Sequence, residues 1–491
     1  MQLQITRKKI ASTPDPCQIF LRFIRNKTGV VENMENCILG RMRAAGHGFA
    51  AVCLVASACS AWGSELAPAG HDQLTGDWGG GRTALQQRGI EIGIHYIGET
   101  LRISGGAHPG TTFEGRLDVT VDTDLEKFIG WTGAKTHIRA FQIHNGGRNA
   151  ADNVGSLADP SNIDALPTTR LFTAWFEQEF GKAGSIAAGL LAADDYFLVG
   201  RTASGLINGT FGWATIASAN LPSGGPAYPL SSPGVRLKIN ATENLSIAAA
   251  VLSGDPAGKN CQDDNPQVCN KRGTTFSFSG GALWAFGLDY GVNQEKDSTG
   301  LAASYKLGGW YHTGNFADQR IGTDGAGNVI TLALDPETTL NHRGNWGIYG
   351  IIDQMLWRGG PASISVFTRA GIVPSDRNLV SWYVDGGIGF KGLIRGREDD
   401  ILTFGVAHSH VSKNAAALDR DIAALGGAPY PIRSSETVFE LSYIAQITPW
   451  WSIQPDLQYI VRPGGNVPDP LDPSRTIGNA FLIGARTTVT F

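Results

Sequence analysis

Charge is scarce in this chain: Asp, Glu, Lys and Arg make up 17% of its 491 residues, and Met occurs only four times. Lys and Arg (40) do not outnumber Asp and Glu (44), which removes the basic footprint a nucleic-acid binder needs. Beyond residue 61 there is no long apolar run, so helical membrane spans are excluded from the body of the chain. The spacings G-x-S-x-G, H-E-x-x-H and C-x-x-C do not occur, which argues against an enzyme with a standard nucleophile or zinc site. Glycine, by contrast, is plentiful at 64 residues, nearly twice the usual share of about 7%. In a helix interior each glycine costs about 1 kcal/mol relative to Ala. With 12 Trp, 11 Tyr and 21 Phe, the composition suits many strands and turns.

The first sixty-one residues read differently. Arg41 and Arg43 precede an apolar run from Phe49 to Ala58 that ends in small residues, Ser57 to Ala61. This is the layout of a secretory signal, with cleavage expected after Ala61. Residues before Arg41 resemble neither signal nor domain, and a start at Met34 or Met42 is expected. A lipoprotein reading of Cys59 is weak because Ala56 stands where Leu is usual. Eight of the Lys and Arg and three of the Asp and Glu lie in 1–61, so the remainder carries a net charge of about −9. Four of the six Cys lie there too, leaving Cys261 and Cys269 in a polar segment. In an exported chain this spacing reads as a disulfide closing a small loop. The rival is a metal pair, but no His or second Cys pair stands near it.

Alternation of apolar and polar residues marks sixteen candidate strands. They fall near 89–103, 115–126, 135–144, 169–180, 184–192, 234–240, 243–252, 278–292, 300–311, 344–358, 361–372, 380–391, 400–411, 434–447, 450–461 and 479–491. In 116–125, Leu117, Val119, Val121 and Leu125 alternate with Arg116, Asp118, Thr120, Asp122 and Asp124. In the last strand Phe481, Ile483, Ala485 and Val489 share one face, with Arg486, Thr488 and Thr490 on the other. An unshielded edge strand of this kind calls for a partner, which closing a barrel supplies. Links after even-numbered strands are short. Most after odd-numbered strands are long, notably 145–168, 193–233, 253–277, 312–343, 412–433 and 462–478. Short turns at one rim, long loops at the other and an even strand number describe an outer-membrane barrel. A soluble β-sandwich also alternates, but sixteen strands with this asymmetry would be unusual for one. The expected fold is therefore all-β: a transmembrane antiparallel barrel of about sixteen strands, with short periplasmic turns, long extracellular loops and a short N-terminal periplasmic helix. Three regions follow: 1–61 as signal and extension, 62–88 as the N-terminal segment with a helix near 80–88, and 89–491 as the barrel.

Three clusters invite a chemical reading. Gly76 to Thr83 (GDWGGGRT) has phosphate-loop spacing, but Arg82 stands in place of Lys and no buried strand precedes it, so a turn into a helix is the better reading. Asp122 and Asp124 share a strand face, as solvated acids in a wet lumen would. His408 and His410 share another face, without a carboxylate at ligand spacing; no metal site and no cofactor are expected.

Several longer stretches carry a family resemblance. LTGDWGGGRT (Leu74–Thr83), TTRLFTAWFEQ (Thr168–Gln178), FGWATIASANLPSGGPAY (Phe211–Tyr228), GIYGIIDQMLWR (Gly347–Arg358), FTRAGIVPSDRN (Phe367–Asn378) and PDLQYIVRPGG (Pro455–Gly465) occur in order. Together they resemble the carbohydrate-selective porin family, OprB, from about residue 72 onward. The resemblance implies a sixteen-stranded barrel in the outer membrane, often a homotrimer, that passes glucose-type sugars by diffusion, in contact with outer-membrane lipid and not with nucleic acid. For such a channel the expected pore-lining and sugar-binding residues are polar groups on inner faces: Arg116, Asp118, Arg139, Arg170, Glu177, Arg236, Lys238, Asp353, Arg369, Asp385, Glu440 and Gln458. Arg369 has an alternative as one half of a turn-fixing ion pair with Asp376. Segment 193–233 either folds inward to narrow the lumen or packs on the rim. The competing readings are a secreted β-rich sugar-binding protein or glycosidase, and a barrel with a structural or adhesive role.

Overall fold

The structure, a computed structural model, describes residues 72–491 apart from 296, 297 and 428. The expected signal and the first part of the N-terminal segment lie outside the described residues.

Sixteen long strands form one antiparallel sheet that closes on itself. They are β1 (Ile90–Gly105), β2 (Gly110–Asp124), β3 (Ala134–Asn145), β4 (Thr168–Glu179), β5 (Gly184–Leu191), β6 (Ser232–Asn240), β7 (Leu245–Ser253) and β8 (Ala282–Val292), followed by β9 (Ala303–Thr323), β10 (Thr339–Gly359), β11 (Ala362–Ile372), β12 (Val380–Lys391), β13 (Ile401–Val411), β14 (Ser435–Thr448), β15 (Trp451–Val461) and β16 (Ala480–Thr490). Each pairs with its sequence neighbour. The ring closes where β1 meets β16, in register from His95 opposite Thr490 to Gly105 opposite Ala480. Closure satisfies the backbone of both edge strands internally, the condition for crossing hydrocarbon. Among the described residues, no helix is long and apolar enough to cross a membrane.

The two faces separate as the alternation requires. Ile138, Leu237, Phe286, Ile348, Phe404 and Phe481 point outward and are exposed, each with 40–52% of its surface accessible. Such an apolar belt has no place on a soluble monomer and fits lipid. Arg116, Asp118, Asp385, Glu440 and Asp456 lie on the inner face. On β16 Phe481 and Ile483 face out, while Arg486 turns inward to Glu99 of β1 at 2.7 Å.

The rims differ as expected, with one change. Strands β9 and β10 run 21 residues each, well past the expected 300–311 and 344–358. Most of the stretch read as a loop at 312–343 is therefore a hairpin standing above the membrane band. There the outer face no longer needs apolar side chains, so alternation fades although pairing continues. Helix α2 (Lys413–Gly426) braces this hairpin: Asp421 accepts from Arg320 at 2.9 Å and from Thr331 Oγ1 at 2.7 Å. At the short-turn rim, helix α1 (Gly81–Gln87) follows the glycine-rich turn. Asp77 accepts from Thr83 N at 2.8 Å, and Arg82 reaches the carbonyl oxygens of Ile92 at 3.3 Å and Phe491 at 2.9 Å. The phosphate-loop-like motif thus fastens the β1–β16 seam.

Candidate functional site

The segment between β5 and β6, residues 192–231, folds into the barrel. Its sequence explains why: Leu198, Leu206, Ile207, Phe211, Ile216 and Leu221 are all buried, and they need an apolar surface. Several inner faces supply it, through Leu101, Ile103, Trp310, Tyr349, Ile351, Phe367, Val438, Ile460 and Leu482, which join the same cluster. Close approach needs missing side chains as well. A Cβ on Gly405 would lie 2.5 Å from Leu206 Cδ1 and 2.8 Å from Phe211 Cζ, so the glycine on β13 lets these side chains pack this close without shifting.

Burying this segment strands its backbone polar groups, and inward side chains satisfy them. Glu440 accepts the N–H groups of Ile207 (2.5 Å) and Asn208 (3.0 Å). Asp353 accepts from Thr202 through N (2.6 Å) and Oγ1 (2.7 Å). Arg369 pairs with Asp385 and donates to the carbonyl oxygens of Leu198, Gly212 (2.9 Å) and Thr210 (2.6 Å). Gln458 accepts from Asn208 Nδ2 at 3.0 Å and donates to Pro160 O at 2.8 Å. Arg170 donates to Pro229 O at 2.9 Å and Lys271 O at 3.1 Å, tying two long loops together. Arg170, Asp353, Arg369, Asp385, Glu440 and Gln458 therefore hold loops in place, with their polar groups turned to protein. Arg369 pairs with Asp385 and not with Asp376, which instead binds Arg377 at 2.8 Å.

Arg116, Asp118 and Arg139 come together on the opposite wall. Asp118 receives Arg139 through Nη2 (2.6 Å) and Nε (3.0 Å), with Arg116 at 3.6 Å. Both guanidinium groups lie over the ring of Phe141, at 4.7 Å and 5.0 Å from its centre, and Arg116 is 4.9 Å from that of Tyr228. Glu177 and Arg236 form an ion pair with Arg236 over Tyr196 at 4.4 Å. Lys238 is exposed near the short-turn rim, alongside Lys182 and Asn240. Cys261 and Cys269 have sulfurs 2.04 Å apart in the long loop between β7 and β8.

Between the docked segment and the Arg116–Arg139 wall an opening of about 590 Å³ remains. The segment contributes Asp194, Asp195, Trp213 and Tyr228 to it, and the loop between β3 and β4 contributes Asp159 and Asp164. Tyr228 is fixed at both ends, by N–H to Asp194 (2.9 Å) and by its hydroxyl to Ile163 O (2.8 Å). Trp213 is fixed by its indole N–H to Gly224 O at 2.8 Å. Burial, then the charge of Asp195, pushes the Asp194 carboxyl up to about 7; burial also pushes Asp164 up to about 7. The opening thus has planar cations on one side, carboxylates on the other and aromatic faces between. Sequence reasoning missed the acids and aromatics of the loops, because no periodicity says which way an irregular segment faces. Their one signal was the aromatic- and glycine-rich composition of Phe211–Tyr228.

Residues 108–491 match the carbohydrate-selective porin family, OprB. The chain belongs to that family. It is 25% identical over 447 residues to Porin B of Pseudomonas aeruginosa, covering 85% of this chain and 91% of that protein. It is 22% identical to the putative porin QuiX of Acinetobacter baylyi, covering 80% and 89%. The high-pH structure of Pseudomonas putida OprB superposes with a TM-score of 0.74 at 23% identity, over 86% of this chain and 99% of the other, a likeness of fold. This OprB-family chain is an outer-membrane carbohydrate porin, and family and fold alike indicate a channel. The secreted sugar-binding or glycosidase reading is set aside.

Proposed function

We propose that glucose-type monosaccharides and small saccharides diffuse through the opening bounded by Arg116, Arg139, Tyr228, Trp213, Asp194 and Asp195. The observation that carries this reading is the pairing of two clamped guanidinium groups with carboxylates across a gap lined by ring faces. Guanidinium N–H groups donate to sugar hydroxyls, carboxylates accept from them, and aromatic faces meet the apolar side of the ring. Several moderate contacts let a sugar enter and leave, which a channel requires. Because Asp118 holds Arg139 and Phe141 supports both arginines, the donors are oriented before the sugar arrives, so less entropy is lost on contact.

The test is swelling of liposomes loaded with purified protein across mono- and disaccharides, wild type against Arg139→Gln. Glucose is expected to enter the wild type, and the variant to lose discrimination among sugars. Equal discrimination in both would remove Arg139 from the site, and no sugar entry in either would remove the reading.

Self-association as a homotrimer belongs to the same reading. On the outward face of β1–β3, Tyr96 is linked to His144 at 3.2 Å and His144 to Gln142 at 3.1 Å. Polar side chains facing hydrocarbon are costly, and a second copy seated there would cover them. Cross-linking of unheated protein in detergent reads the oligomer, and a monomer would count against it. Removal of residues 1–61 is proposed as well, and N-terminal sequencing of membrane-inserted protein checks it.

A further inference from the structure

Below the docked segment, in the short-turn half of the lumen, lies a second recess of about 480 Å³. Part of its wall is rich in hydroxyls: Ser363 and Ser365 on β11 and Thr403 on β13. Thr403 is fully buried, and its Oγ1 has no hydrogen-bond partner among the described residues.

Three cationic side chains line the same recess: Arg201 from the docked segment, Arg358 from β10 and Lys391 from β12. Arg201 is exposed, and the turn that begins at Thr202 is pinned to β10 by Asp353. Among the described residues the Arg201 guanidinium makes no ion pair. Arg358 spends one nitrogen on Ser298 O and has no carboxylate partner there. Lys391 stands 3.6 Å from Asp399, an open pair in which both groups stay solvated. Two carboxylates line the recess as well: Asp353, whose oxygens are both engaged by Thr202, and Glu295, which is exposed after β8. With three cations against one free carboxylate, the recess presents net positive charge beside unspent hydroxyls, a different chemistry from the opening above.

We propose that this recess is a carboxylate-binding station for acidic monosaccharides, on the exit side of the constriction. The proposal rests on the porin reading of the barrel. A guanidinium fork matches a carboxylate in two parallel hydrogen bonds, and the ammonium of Lys391 adds a charge without directional demand. The ring hydroxyls of a sugar acid meet Ser363 and Ser365. A neutral sugar gains only the second set of contacts. A simple carboxylate gains only the first. An acidic sugar leaving the constriction thus finds a second site before the periplasm, the multi-site arrangement that lets cargo move on.

The test uses purified protein in planar bilayers, with glucuronate, glucose, acetate and inorganic phosphate added separately to either side. Glucuronate is expected to interrupt the current with longer blocks than acetate or phosphate, most readily from the short-turn side. Arg201→Gln shortens those blocks by about tenfold, the scale of one charge-assisted hydrogen bond. Arg201→Lys keeps part of the effect, and both variants leave glucose blocks unchanged. Since Arg201 is exposed, unchanged glucose blocks also report an intact barrel. Glucuronate blocks equal in wild type and Arg201→Gln would overturn the station, as would phosphate or acetate blocking as strongly as glucuronate. A channel that passes glucose and ignores glucuronate overturns the station alone. One that passes neither ions nor glucose overturns the porin reading with it.

Discussion

Glu440 accepts the backbone N–H of Asn208 at 3.0 Å and so fixes the segment that fills the lumen to the barrel wall. The same carboxylate takes the N–H of Ile207, and Asn208 reaches on to Gln458 at 3.0 Å. This side chain on β14 is one of the anchors that keep the barrel narrow at this level.

Glu440→Ala leaves two buried N–H groups without an acceptor, at about 1–3 kcal/mol each. The sixteen strands keep their own pairing, so the barrel persists while the segment loosens. Single-channel conductance is expected to rise several-fold, and proteolysis within 201–211 to appear. Unchanged conductance with no new cleavage would mean that the apolar contacts of Leu206, Ile207 and Phe211 hold the segment unaided.

Arg369→Ala is the more severe change. It leaves Asp385 buried without its cation and three carbonyl groups without a donor, and breaking such a pair costs about 3–5 kcal/mol. The folded fraction on an unheated gel is expected to fall. Arg369→Lys rescues it only in part, because one ammonium cannot reach Asp385 and all three carbonyls in a planar fork. The double change Arg369→Met with Asp385→Leu removes both buried charges and is expected to fold better than Arg369→Ala. Equal losses in the single and double variants would contradict this account.

Ion selectivity is expected to change near neutral pH. The carboxyls of Asp194 and Asp164 are raised to about 7, so each takes up its proton as pH falls through that value. Raised carboxyl groups lose negative charge below their pKa and keep it above. The opening should therefore favour cations more at pH 8 than at pH 6. Reversal potentials in a salt gradient measure this, and Asp194→Asn removes part of the shift, leaving the contribution of Asp164. A selectivity flat between pH 6 and 8 in the wild type would refute it.

The chain's own pattern was enough for the barrel. The alternation of Leu117, Val119 and Val121 with Arg116, Asp118 and Thr120, repeated along the chain, specifies strands with one lipid face and one inner face. The long-short rhythm of the links orders them. Period-2 patterning is local, so it is legible in sequence wherever a strand meets two different solvents. The pairing of β16 with β1 followed from the same logic, since two amphipathic edges must be closed. Tertiary structure alone decided what the inner polar residues do. Arg116 and Arg139 face the opening, whereas Arg369, Asp385 and Glu440 lie on equally polar inner positions and are covered by the docked segment. Alternation tells inside from outside but not water from loop. That choice is made by residues far away in sequence, such as Asn208 for Glu440, and by the glycine at 405 that gives Phe211 room.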